Sequence, residues 1–223
     1  MGKQWVRQQI KKNKVQETVG RVIDWVTVNR RQAGIIAGSA IGALILAVIF
    51  LYGRHARNDA AWDALSLANG YAYANQEDTA LKKIDELNAE YPAAPASGYG
   101  LLFAGDLLSH RARYPESAKY FTQLLDRGQP KSLLPFALNG LVLESESAGQ
   151  CPEAAKTAER FLQSYPDHFL APQVHSSLAR CQEAMGQTDT AKTTLQKIML
   201  QYPDSSWASW AQERLKSAGS AGA

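Results

Sequence analysis

Four times between residues 80 and 203 an alanine stands twelve residues ahead of a proline: Ala80 and Pro92, Ala118 and Pro130, Ala154 and Pro166, Ala191 and Pro203. The alanines lie 38, 36 and 37 residues apart. A period of that size marks helix pairs that stack, because a single pair cannot bury its apolar face alone. Seven residues after each alanine comes a large apolar side chain, Leu87, Leu125, Phe161 or Ile198. Tyr91, Tyr165 and Tyr202 stand directly before three of the prolines. An acidic residue or proline precedes each alanine, in "QEDTA", "YPESA", "QCPEA" and "QTDTA", which suits the first turn of a helix.

Each unit therefore reads as a helical hairpin. In the last one, "APQVHSSLARCQEAMG" forms a first helix ended by Gly186, and "QTDTAKTTLQKIMLQY" a second helix stopped by Pro203. The alanine is small because two helices cross there, and the large residue one to two turns later fills the space beside it. The pattern resembles the tetratricopeptide repeat over about residues 60 to 203. That resemblance implies a small position in each first helix. Ala68 and Ala179 supply it in units one and four, whereas Asp106 and Val142 fall there in units two and three unless those units are shifted, with Gly105 or Gly140 taking the role. After Pro203, "SSWASWAQERL" places Trp207, Trp210, Ala211 and Leu215 on one face, suited to a helix that caps the open end of the stack.

The fold class expected is thus all-α. An extracytoplasmic domain at 53–216 comprises units at about 60–93, 94–131, 132–168 and 169–204 and a cap at 205–216, and a disordered tail follows at 217–223.

Ahead of the repeats, Ala33 to Tyr52 is twenty residues without a charge, enough at about 1.5 Å per residue to cross a hydrocarbon core of roughly 30 Å. A cleaved signal has a shorter apolar core and a small-x-small site; here the run passes into Phe50, Leu51, Tyr52, Arg54, His55 and Arg57. An uncleaved transmembrane helix at 33–52 is the better reading. Residues 1–32 hold eight Lys or Arg against Glu17 and Asp24, a net +6 that leaves −3 for the rest of a chain whose total is +3. Positive charge confined to a short arm beside an apolar segment is a topology signal and speaks against nucleic acid. The arm stays in the cytoplasm and the repeats are exported to the periplasm of a single-pass inner-membrane protein.

Gly34, Gly38 and Gly42 recur every four residues and so share one helix face, open to a second copy or to a partner's helices. Val15, Val19, Val22, Ile23 and Val26 keep helical spacing against Lys11, Lys12, Lys14 and Arg21, with Trp25 at headgroup level. Either a helix lying on anionic lipid or a flexible basic tail held by it fits that pattern.

The two cysteines, Cys151 and Cys181, fall at the start of unit three's second helix and near the end of unit four's first helix, neighbours that run antiparallel. An oxidising compartment favours a bond between them, which would close about 31 residues and stabilise by roughly 3 kcal/mol. Two buried free thiols are the alternative. His55, His110, His168 and His175 keep no metal spacing, and no nucleophile elbow or phosphate loop is present. No catalytic, cofactor or metal residue is assigned, and an enzyme is not expected. Stacked hairpins leave a concave face lined by first helices, and projecting the repeat frame puts Asn69, Tyr73, Phe103, His110, Arg111, Asn139, Glu146, Gln173, Arg180 and Glu183 near it. The set lacks the repeated Lys and Asn clamp with which domains similar to this repeat grip a terminal carboxylate.

Basic arm, glycine-rich span and repeat array in this order, joined by "NRRQAGIIAGSAIGALILAVIFLYGRHARNDAAWDALSLA", resemble the YfgM-type family of bacterial inner-membrane proteins. That resemblance implies a non-catalytic accessory of the Sec translocon, working with periplasmic folding factors and emerging polypeptides. An adaptor of cell-wall or outer-membrane assembly is the alternative.

Overall fold

The computed structural model describes residues 17–220, with side chains to residue 217. Lys3, Arg7, Lys11, Lys12, Lys14 and Val15 of the basic arm lie outside the described residues. Among the described residues there are helices and no strands. We number them α1 (17–28), α2 (Arg30–Tyr73), α3 (Glu77–Glu90), α4 (Pro95–His110), α5 (Tyr114–Arg127), α6 (Leu134–Ser147), α7 (Cys151–Ser164), α8 (Ala171–Ala184), α9 (Thr188–Gln201) and α10 (Ser206–Ser220), with a 3₁₀ turn at Lys131–Leu133.

The chain divides into two compact units, residues 1–56 and 57–223. In the first, every large apolar side chain from Ile35 to Leu51 is more than half exposed. An apolar stretch of this length left uncovered is what a bilayer covers. By length and composition α2 is a single membrane-span candidate. It continues without interruption to Tyr73 and supplies the first hairpin's opening helix, because only Gly53 and Gly70, and no proline, interrupt the helix formers after Tyr52.

In the second unit the hairpins are α2–α3, α4–α5, α6–α7 and α8–α9, closed by α10. Each turn within a hairpin has one residue in the left-handed region: Asn75 (φ 59°), Ala112 (57°), Gly149 (72°) and Gly186 (74°). These are spaced by 37 residues three times, so the structural period is uniform where the alanine-proline count gave 38, 36 and 37. Unit two is the cause. Its fully buried small residue is Ser117, one before Ala118, and its fully buried large residue is Leu124, one before Leu125. Ser117 then sits 37 residues from both Ala80 and Ala154, and its hydroxyl donates to the Gly105 carbonyl at 2.8 Å. Gly128 occupies the slot of Tyr91, Tyr165 and Tyr202, ends α5 with φ 68°, and pushes the proline one residue on to Pro130. That displaced loop lies on α4: a Cβ at Gly98 would stand 2.4 Å from the Pro130 Cδ.

The uniform period also settles the small position of the first helices. It is Ala68, Gly105, Val142 and Ala179; Asp106 is exposed. Across each crossing the facing residue compensates in size: Ala68 with Ile84, Gly105 with Phe121, Val142 with Ala158, Ala179 with Leu195. Packing of this kind conserves volume rather than identity. At the far end Trp207, Trp210, Ala211 and Leu215 of α10 pack with Ala179, Leu195 and Ile198, covering the last apolar face. Alpha-10 runs to Ser220, past the expected edge at 216, since only Gly219 weakens a helix-forming "KSAGS" segment.

Candidate functional site

The first helices α4, α6, α8 and α10 touch one another in succession, whereas the second helices make no contacts of comparable extent. The stack therefore curves toward its first helices, and their outward stripe is the inner face. One position per unit on that face falls at Trp62, Tyr99, Phe136, Gln173 and Trp210, each 37 residues from the next. Four of the five are aromatic. Trp62 and Tyr99 are each 40 % exposed, with ring centroids 5.3 Å apart. Phe136 sits edge-on to His168 at 5.6 Å and tilts toward the exposed ring of Phe169.

The far half of this face is closed by its own charges. Glu146 takes a bidentate fork from Arg180, with Nη2 to Oε2 at 2.9 Å, and Arg180 also donates to the hydroxyls of Ser176 and Ser177. Arg214 pairs with Glu183 at 2.7 Å. Both guanidiniums lie over the Trp210 ring, 5.8 and 5.9 Å from its centroid. Opposite charges and a shared aromatic face hold these groups to one another, whereas the nearer half carries the aromatic column, the exposed Asp106 and the Arg111–Glu77 pair.

The ten residues assigned from the repeat frame divide accordingly. Glu146, Arg180 and Glu183 belong to the closed network. Arg111 is paired with Glu77. Phe103 packs on the Ala68–Ile84–Leu108 cluster and is only partly exposed. Tyr73 and His110 are exposed, and Gln173 is half-buried. Asn69 and Asn139 each hold a buried Oδ1 without a hydrogen-bond partner, acceptors that a partner's backbone N–H would satisfy. The aromatic column was missed, although stepping back by 37 from Trp210 finds every member. Gly34, Gly38 and Gly42 would meet nothing within 4 Å if each carried a Cβ. Cys151 and Cys181 are free thiols, the first half-buried and the second buried. No group of three or more His, Cys, Asp or Glu side chains gathers as a metal site among the described residues.

Residues 177–205 match the model of the tetratricopeptide repeat family. Among solved structures, a tetratricopeptide repeat protein from Parabacteroides merdae superposes with a TM-score of 0.58 at 14% identity, over 69% of this chain and 58% of that one. YrrB, described as a TPR protein with an unusual peptide-binding site, superposes with a TM-score of 0.50 at 19% identity, over 64% of this chain and 69% of its own. The fold is a tetratricopeptide-type solenoid. At these identities the likeness speaks to the fold alone. A search of curated proteins found no significant match.

Beneath the inner face two buried titratable groups oppose each other in pH. His175 on α8 is 9 % exposed, its Nδ1 is unpartnered, and it lies against Tyr202. Burial, helped by the Lys197 charge and opposed by a hydrogen bond with Gln201, holds its pKa below 6.5. The unfolded chain therefore binds a proton that the folded chain refuses, and stability falls as pH drops from 6.5 through the folded value, by at most about 1.4 kcal/mol per pH unit. Glu144 runs the other way: burial lifts its carboxyl above 4.5 despite the Ser109 and Ser117 hydroxyls, so its contribution is lost as pH rises through the lifted value. Thermal midpoints of His175→Gln against pH are expected to lose the slope just below 6.5; an unchanged slope would assign it to other groups.

Proposed function

We propose that this chain is a single-pass membrane protein whose extracytoplasmic solenoid is a non-catalytic scaffold for protein-protein contact, serving as an accessory of the protein-export channel. The observation that carries the scaffold reading is the aromatic column Trp62, Tyr99 and Phe136 beside unpartnered Asn69 and Asn139 acceptors. Apolar rings provide contact area at low entropic cost, and buried carboxamide oxygens await backbone N–H donors. An extended polypeptide with apolar side chains, such as an emerging chain or a folding factor's exposed segment, has the complementary chemistry.

Membrane anchoring is supported by the exposed apolar stretch of α2, and orientation by the net +6 of residues 1–32. Val19, Val22, Ile23, Trp25 and Val26 of α1 are all well exposed, a stripe suited to the anionic inner leaflet. In the same reading the open glycine face docks onto membrane helices of the channel or onto a second copy.

Protease added to spheroplasts tests the orientation: digestion of residues 57–223 with the arm protected is expected, and protection of the repeats would overturn it. Crosslinking in native membranes, with Gly34, Gly38 and Gly42 changed together to leucine in a parallel sample, then identifies the neighbour. Channel subunits lost on the change support docking through that face, adducts insensitive to it refute this, and cell-wall or outer-membrane components would replace the export reading with one of envelope assembly.

A further inference from the structure

We propose that Cys151 and Cys181 are joined by thiol-disulfide exchange into a single intrachain bond that staples unit three to unit four. Cys151 is the first residue of α7, and Cys181 lies in the last turn of α8. These helices pack directly on each other and run antiparallel, so the start of one stands beside the end of the other. Burial foremost, then the neighbouring Cys151, pushes the Cys181 thiol up to about 12.

Access and acidity divide the roles. Cys151, half-buried at a helix start, is the sulfur a reagent reaches; Cys181 is buried and holds its proton tightly. The co-reactant is a disulfide donor, either an oxidised dithiol protein or oxidised glutathione. The Cys151 thiolate attacks one donor sulfur and forms a mixed disulfide, releasing the other donor sulfur as thiolate. That thiolate takes up the proton Cys151 gave up. The Cys181 thiolate then attacks the Cys151 sulfur, closing the protein bond and expelling the second donor sulfur, which takes the second proton. Two electrons pass from the cysteine pair to the donor, one disulfide is broken and one is made.

The bond crosses a repeat boundary, where a solenoid's stability is set by coupling between neighbours. It also anchors α8 one residue from Arg180, so it steadies the Glu146–Arg180–Trp210 network without contributing to it. Closing this loop is expected to raise the folding equilibrium constant on the order of a hundredfold.

The test uses the full chain in detergent, reduced and then exposed to oxidised glutathione. Intact mass is expected to fall by two hydrogens with no adduct, both thiols becoming unreactive to alkylation, and the urea midpoint is expected to rise. A glutathione adduct that persists on Cys151, or two thiols that stay alkylatable, would overturn the proposal. Because native sequence is used, a misfolded variant cannot confuse the result. The bond's presence in cells rests on the extracytoplasmic reading proposed above. Formation in the tube with free thiols in the cell would leave the staple standing and count against the compartment.

Discussion

Phe121→Ala is expected to lower the unfolding free energy by about 3–5 kcal/mol, a large part of what a domain of this size possesses. The ring is 1 % exposed and is held in a fork of two glycines. A Cβ at Gly105 would stand 2.4 Å from one ring edge, and a Cβ at Gly140 2.5 Å from the other. The first helices of units two and three thus close on the same ring from both sides. Gly105→Ala alone is also expected to destabilise, because the ring has no free side to move toward. Combining Gly105→Ala with Phe121→Leu rebuilds the pairing of Ala179 with Leu195 in unit four and is expected to recover part of that loss. Urea unfolding of the full chain in detergent, followed by far-ultraviolet dichroism, measures these three and Phe121→Leu alone. A Phe121→Ala cost under about 1 kcal/mol, or a double variant weaker than the sum of both single changes, would refute the size-exchange account.

That crossing shows why the repeats were readable in the sequence and unit two was not fully so. The period was visible because Ala80, Ala154 and Ala191 are buried at helix crossings and each is followed seven residues later by a core residue. Those are requirements of close packing, and packing leaves its spacing in the sequence. In unit two Ala118 is merely the helix neighbour of the true small position and Pro130 is displaced by a loop that bulges by one residue after Gly128, while the true positions are held by Ser117, which lacks the expected identity, and Gly128, which lacks the bulk of tyrosine. Backbone conformation, four left-handed turn residues at Asn75, Ala112, Gly149 and Gly186, holds the period more faithfully than side-chain identity. Two of those four are not glycine, so composition could not point to them. The inner-face ion pairs were hidden for a different reason: Arg180 and Glu146 lie 34 residues apart, off the repeat period, and only the curvature of the stack brings them together. Reading each as a free contact residue followed from treating surface positions singly.

Replacing Trp62, Tyr99 and Phe136 together with alanine is expected to weaken capture of the extracytoplasmic partner a hundredfold or more while leaving the fold intact. Each truncation of an aromatic anchor costs about 1–3 kcal/mol at a buried contact, and three on one face share a single occupant. Stability is largely spared because Trp62 and Tyr99 are 40 % exposed already and Phe136 is part-exposed, its ring contacts being to His168 and the exposed Phe169. A photoreactive residue placed beside them, at Phe103, reads occupancy in native membranes, and Leu200→Ala supplies the control: that side chain is 80 % exposed on the second helix α9, away from the inner face. Arg180→Met gives the complementary arm. If the Glu146–Arg180–Trp210 network only closes the far half, its loss opens new surface and leaves adducts at Phe103 unchanged; if it grips the partner, adducts fall with it. Undiminished crosslinks in the triple variant, or an equal loss from Leu200→Ala, would move the binding surface off the first helices.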